Sequence, residues 1–119
     1  MKIKTIKTQC LFNAEHILAP DGSEIRELVA TDSASMVHCT LYPGAISRAV
    51  RHKSVEELWF IIEGRGQFWR KTARSSTIIK ISKGTSLNIP KNVDFQFRND
   101  GTMNLEAIIV TIPPWPGNH

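Results

Sequence analysis

Cysteine is scarce: Cys10 and Cys39 are the two in the 119-residue chain. They are too few and too far apart to form a disulfide framework or a thiolate metal site alone, so free buried thiols are expected. Long apolar runs are missing too. The longest, "AIIVTI", falls far short of a bilayer span, and "MKIKTIKTQCLF" has lysines but no apolar core of signal-peptide length. The expectation is a cytoplasmic protein with no membrane partner. There is no internal repeat, linker or low-complexity tract, and no Gly-rich phosphate loop, because "EGRG" joins two strand-like runs. Ser33, Ser35, Ser47 and Ser54 lack the setting of a nucleophile elbow, which removes the hydrolase triad. His16 and His119 stand in irregular or terminal sequence with no partner pattern.

A dense basic patch is the next absence. Fifteen bases against eleven acids leave a formal charge of +4, with Lys71, Arg74, Lys80 and Lys83 thinly spread. Nucleic-acid binding calls for clustered cations interleaved with exposed aromatics, so no nucleic-acid partner is expected and these residues read as solvated faces. A modest positive field still favours an anionic small ligand over a cationic one. With 41% hydrophobic and 22% charged residues, the composition is that of an ordinary globular domain, and the length suits one core. A single domain over residues 1–119 is expected.

No segment of helical length sustains apolar residues at a 3.6-residue period. Short runs rich in β-branched and aromatic residues recur instead, separated by Gly, Pro, Asn and Asp. "SEIRELVA", "SMVHCTLY", "ELWFII", "GQFWRKT", "STIIKIS", "TSLNIP", "DFQFRN" and "NLEAIIVTI" are each strand-length. The fold class is all-β, a sandwich or barrel that hides its strand edges. The Pro-rich tail 113–119, "PPWPGNH", cannot continue a central strand and is expected to run over the surface with Trp115 as an anchor.

The stretch from Gly44 through "VRHKSVEELWFIIEGRG" resembles the first motif of the cupin superfamily, G-x5-H-x-H-x3-4-E-x6-G, with Gly44, His52, Glu57 and Gly64 in register. "GTSLNIPKNVDFQFRN" is similar to the second motif, G-x5-P-x-G-x2-H-x3-N, at Gly84, Pro90 and Asn99. The resemblance implies a small single-domain cupin, a double-stranded β-helix with a jelly-roll-like barrel over about residues 20–112. It also implies a divalent metal held by two histidines and a glutamate of the first motif and a histidine of the second. Here Val50 and Phe95 replace two of those histidines, leaving His52 and Glu57. Two protein ligands are a poor basis for holding an ion, so no metal and no other cofactor is expected, unless His38 or Cys39 rescues the site from a neighbouring strand. Asn92 stands where the second motif has glycine, a change that left-handed geometry tolerates.

His52 and Glu57 are the candidate acid/base pair. Strand alternation sends Glu56 to the opposite face and gives Val50, Trp59, Ile61, Phe95 and Phe97 the parity of the site. The candidate ligand-binding set is therefore Arg48, Val50, His52, Glu57, Trp59, Phe95 and Phe97, with Arg48 as an anion clamp at the mouth. Three functions follow. The first is binding of a small, anionic organic molecule without metal. The second is a metal-independent isomerase or epimerase using His52 and Glu57, and the third is a metal-dependent dioxygenase or isomerase. Small cupins, together with an edge strand around "KIKTIKT", imply a homodimer.

Overall fold

Among the described residues the chain forms ten strands, the longer ones where apolar residues alternate with polar ones between turn residues. The coordinates are a computed structural model that describes residues 6–115. The strands are β1 (His16–Leu18), β2 (Glu24–Ala30), β3 (Ser35–Leu41), β4 (Val50–Arg51), β5 (Glu56–Glu63), β6 (Arg65–Lys71), β7 (Ser76–Ser82), β8 (Ser86–Ile89), β9 (Asp94–Asn99) and β10 (Leu105–Ile112). All eight expected runs are strands. Short β1 and β4 are additional, because three and two residues are too few to show a period.

Pairing is antiparallel throughout and produces two sheets. One has the order β1-β2-β3-β10-β5-β8 and the other β4-β9-β6-β7. They stack face to face as a jelly roll without closing into a hydrogen-bonded barrel, which corrects the barrel half of the expectation. Between them lie Trp59 from the larger sheet and Phe68, Phe95 and Phe97 from the smaller, all buried. Trp59 meets Phe68 and Phe97 edge-on at 5.1 and 5.0 Å, while Phe68 stacks on Phe95 and Phe97 at 5.9 and 5.6 Å. Each such ring contributes roughly 1.5–3 kcal/mol through burial alone, which makes this cluster the principal tie between the sheets.

The β5–β6 turn explains "EGRG". Gly64 has φ of 86°, and a Cβ there would sit 2.5 Å from the Asn104 carbonyl oxygen. A Cβ on Gly66 would lie 1.9 Å from the Arg98 carbonyl oxygen, so β6 and β9 keep their approach only with glycine. Asn92 adopts φ of 64°, the left-handed geometry of the glycine it replaces. Motif residue Asn99 is structural: its Nδ2 donates to the carbonyls of Leu41 (2.9 Å) and Met103 (2.7 Å), and its Oδ1 accepts from the Gly101 N–H (2.8 Å).

Three expectations about the ends need correction or restriction. Cys10 is exposed, so only Cys39 is a buried thiol. The edge strand expected around "KIKTIKT" lies partly outside the described residues, and residues 6–10 form no strand. Within the tail, Trp115 packs partly buried against the core and its N–H donates to Ser35 Oγ at 2.7 Å; the rest of the tail is outside the described residues. Among the described residues no helix is long and apolar enough to cross a membrane.

Candidate functional site

β5 supplies the first half of the site. Its alternation turns Glu57 and Trp59 inward and leaves Glu56 exposed. The two inward side chains bond each other, the indole N–H of Trp59 donating to Glu57 Oε1 at 2.9 Å. The second half comes from the segment after β4. There the His52 carbonyl accepts from the Asn92 N–H at 2.8 Å, so the left-handed turn at Asn92 helps seat the histidine. His52 Nε2 lies 3.5 Å from Glu57 Oε2, and the imidazole leans on the Phe95 ring with centroids 5.5 Å apart.

The carboxyl of Glu57 is pushed up to about 7, chiefly by burial and further by the nearby negative Asp21; the Trp59 hydrogen bond opposes this. Around the pair is a cavity of about 30 Å³ with Val50, Phe95, Trp59, Cys39, Thr111 and Trp115 among its lining residues, along with the turn at Ala19, Pro20 and Asp21. Space of that size holds one or two waters.

Five residues expected at the site come together there: Val50, His52, Glu57, Trp59 and Phe95. Val50 and Phe95 are direct cross-strand partners. Phe97 lies deeper, within the aromatic cluster, and does not line the cavity. Arg48 is exposed because no regular strand runs from Ser47 to Val50. Its N–H donates to the Asp21 carbonyl (2.7 Å) and its Nη1 to the Pro20 carbonyl (3.4 Å), so it braces the turn at the rim from outside.

Asp21 and Ser23 escaped sequence reasoning. "PDGS" carries turn residues and no sign of depth, yet Asp21 and Ser23 are both buried. Asp21 Oδ1 accepts from the N–H and the hydroxyl of Ser23 at 2.8 and 2.6 Å, folding the turn under the sheet edge. The D-x-S spacing was the available signal, though it carries no information about burial.

The residues do not fit the metal that the resemblance implies. His38 points to the outer face of the larger sheet, where its Nε2 contacts Glu106 Oε1 at 2.8 Å. Cys39 faces the cavity, but burial raises its thiol far above the ordinary value and keeps it protonated. Neither rescues the site. Among the described residues no group of three or more His, Cys, Asp or Glu is placed to hold an ion.

Residues 37–111 match the family model described as "Cupin domain". The chain is 25% identical over 118 residues to the uncharacterized protein MJ1618 of Methanocaldococcus jannaschii, covering 95% of this chain and 90% of that one. Among solved structures, a predicted oxalate decarboxylase from Thermotoga maritima superposes with a TM-score of 0.74 at 18% identity, over 91% of this chain and 99% of the other. An RmlC-like cupin from Shewanella frigidimarina gives 0.72 at 16% identity, over 92% and 93%.

Proposed function

The chain belongs to the cupin family, and from that premise we propose that it binds a small organic molecule between its sheets without a tightly held metal. The observation that carries this reading is the buried His52–Glu57 pair, a short polar strip against the apolar walls of Val50, Trp59 and Phe95. Such a site fixes a mostly apolar ligand by one hydrogen-bonding group. The anionic ligand suggested by net charge suits this cavity poorly, since Glu57 and Asp21 both face it. A neutral molecule, or an acid bound in its protonated form, fits better.

Organic ligands need several hundred cubic ångströms, so entry requires part of the wall to move. Trp115, held by a hydrogen bond to Ser35 and not by strand pairing, is the element that moves. Native mass spectrometry of protein purified without added ions tests the reading. An organic adduct that is lost in His52→Ala and gained more readily in Trp115→Ala supports it. Stoichiometric nickel, iron or zinc bound through His52 and Glu57 overturns it. Restoring both imidazoles, Val50→His with Phe95→His, should create nickel affinity absent from the native chain, because the two positions face each other across β4 and β9.

One observation favours a second reading, a metal-independent isomerase. Glu57 with its pKa of about 7 is poised to exchange a proton with an acidic C–H, with the His52 imidazole 3.5 Å away. Turnover that persists in chelator and loses its pH dependence near 7 in Glu57→Gln would support it.

The chain is also proposed to pair as a homodimer through the outer face of the larger sheet, where Met36, Leu58, Phe60 and Ile112 are exposed. Sedimentation equilibrium of Phe60→Lys, expected to shift toward monomer, checks this.

A further inference from the structure

The positive charge that looked dispersed in the sequence is gathered by the fold. The strands of the smaller sheet carry Arg51, Arg65, Arg70, Lys71, Lys80 and Arg98 against the single acid Asp94. On the outer face of that sheet lies a groove of about 290 Å³, close to the size of a small-ligand site. Register puts Trp69 beside Gln96 of β9 and Ile78 of β7, and Gln67 beside Arg98 and Lys80. Ile46, bridged to Arg98, and Ile78 are well exposed and form two apolar rims. The groove therefore runs along β6 and β9, with Lys71 toward one end and Arg65 toward the other.

The floor is ordered. The Trp69 indole N–H donates to Ser76 Oγ at 2.9 Å, which fixes the ring. Gln96 Nε2 donates to the Ser47 carbonyl at 2.9 Å and keeps its Oε1 as an acceptor for a ligand. Arg98, among the lining residues, is held by Asp100, its Nε 3.0 Å from Oδ1.

We infer that this groove is a second binding site, for an acidic oligosaccharide that lays a sugar ring on Trp69. The apolar face of a pyranose matches an indole flanked by isoleucines. Vicinal hydroxyls, each donor and acceptor, match the amides of Gln67 and Gln96, and a ring carboxylate matches Lys80, beside Gln67, and Lys71. Charge decides against a single-stranded nucleic acid. Such polymers carry a phosphate on every residue and draw affinity from neutralising several of them. Here Asp94 and Asp100 already hold Arg51 and Arg98, leaving most of the net charge to Lys71, Lys80 and Arg65. Strand binders also stack successive bases on several rings, and Trp69 is the one ring on this outer face among the described residues.

Calorimetry with a matched pair of probes, a β-1,4-linked glucuronate tetramer and cellotetraose, tests the site, with a short oligothymidylate as the third titrant. The glucuronate tetramer should bind saturably and more tightly than cellotetraose. Lys71→Ala with Lys80→Ala should erase that preference. Trp69→Ala should weaken binding about tenfold, as deletion of a central aromatic anchor does, while Trp69→Phe keeps most of it and Leu18→Ala, on the other sheet, changes nothing. Tighter binding of oligothymidylate, equal binding of both saccharides, or indifference to Trp69→Ala in a chain that keeps its circular dichroism would each overturn the inference. None of these outcomes depends on what occupies the interior cavity.

Discussion

The two sheets share one core and differ in the charge their strands carry. The strands of the smaller sheet hold six bases and one acid. Those of the larger hold Glu24, Glu27, Glu56, Glu57, Glu63 and Glu106 with Arg26 as the single base. The larger sheet also exposes Leu58 and Phe60, whereas the smaller sets one tryptophan among two amides, an arginine and the exposed Ile46 and Ile78. The two sets of strands cancel in formal charge, so the +4 of the whole chain comes from residues outside the strands and describes neither sheet. What the molecule attracts depends on which face is approached.

The sharpest way to break the comparison is to delete neighbouring rings that point to opposite sides of one strand. Phe68→Ala removes a fully buried ring between the sheets and should cost about 3–5 kcal/mol, whereas Trp69→Ala on the outer face should cost about 1 kcal/mol. Urea midpoints measure both; equal losses would mean that β6 does not divide an inside from an outside.

Next in size is the buried carboxyl of the larger sheet. Burial raises Glu57 from 4.5 to about 7, so the folded chain holds this proton more tightly than the unfolded one. Its contribution to stability is fully present below 4.5 and is lost as pH rises through about 7, a change on the order of 3 kcal/mol. Chemical denaturation at several pH values should show that decline, and Glu57→Gln should flatten it. Asp94, on the exposed side of the smaller sheet, is shifted the other way by its hydrogen bond to Arg51, and Asp94→Asn should leave the decline intact.

The smallest effect concerns a turn. Asn92→Ala places an ordinary side chain at φ of 64° and should cost about 1 kcal/mol. Asn92→Gly should cost nothing or stabilise. Thermal denaturation of the two variants side by side gives the sign.

Fold and site were legible to different depths. Period-2 alternation revealed every strand long enough to carry it, and parity counted from the cupin-like motif positions placed Glu57, Trp59 and Phe95 indoors and Glu56 outdoors. Arg48 departs from that parity because the pattern holds only along continuous strand, and the chain between Ser47 and Val50 is irregular. His38 shows a further limit. Parity separates it from Cys39 but does not say which of the two faces inward, and only pairing with β2 and β10 decides that. Asp21 was hidden because its burial is imposed by strands distant in sequence. The cation-bearing groove was illegible for a related reason, since Arg51, Lys71, Lys80 and Arg98 become neighbours only when four separated strands line up.

One feature of the smaller sheet has a bearing on solubility. β7 pairs with β6 on one side and forms an outer margin of its sheet. Its sequence, "STIIKIS", combines β-branched residues with little charge, the composition from which intermolecular cross-strand assemblies grow. Lys80 interrupts that run, and an ammonium desolvated between stacked copies would oppose their docking. The same lysine that lends the groove its attraction therefore acts as a gatekeeper against self-templated aggregation. Exchanging it for isoleucine should leave the monomer folded and shorten the lag before fibrils form, as thioflavin fluorescence would register.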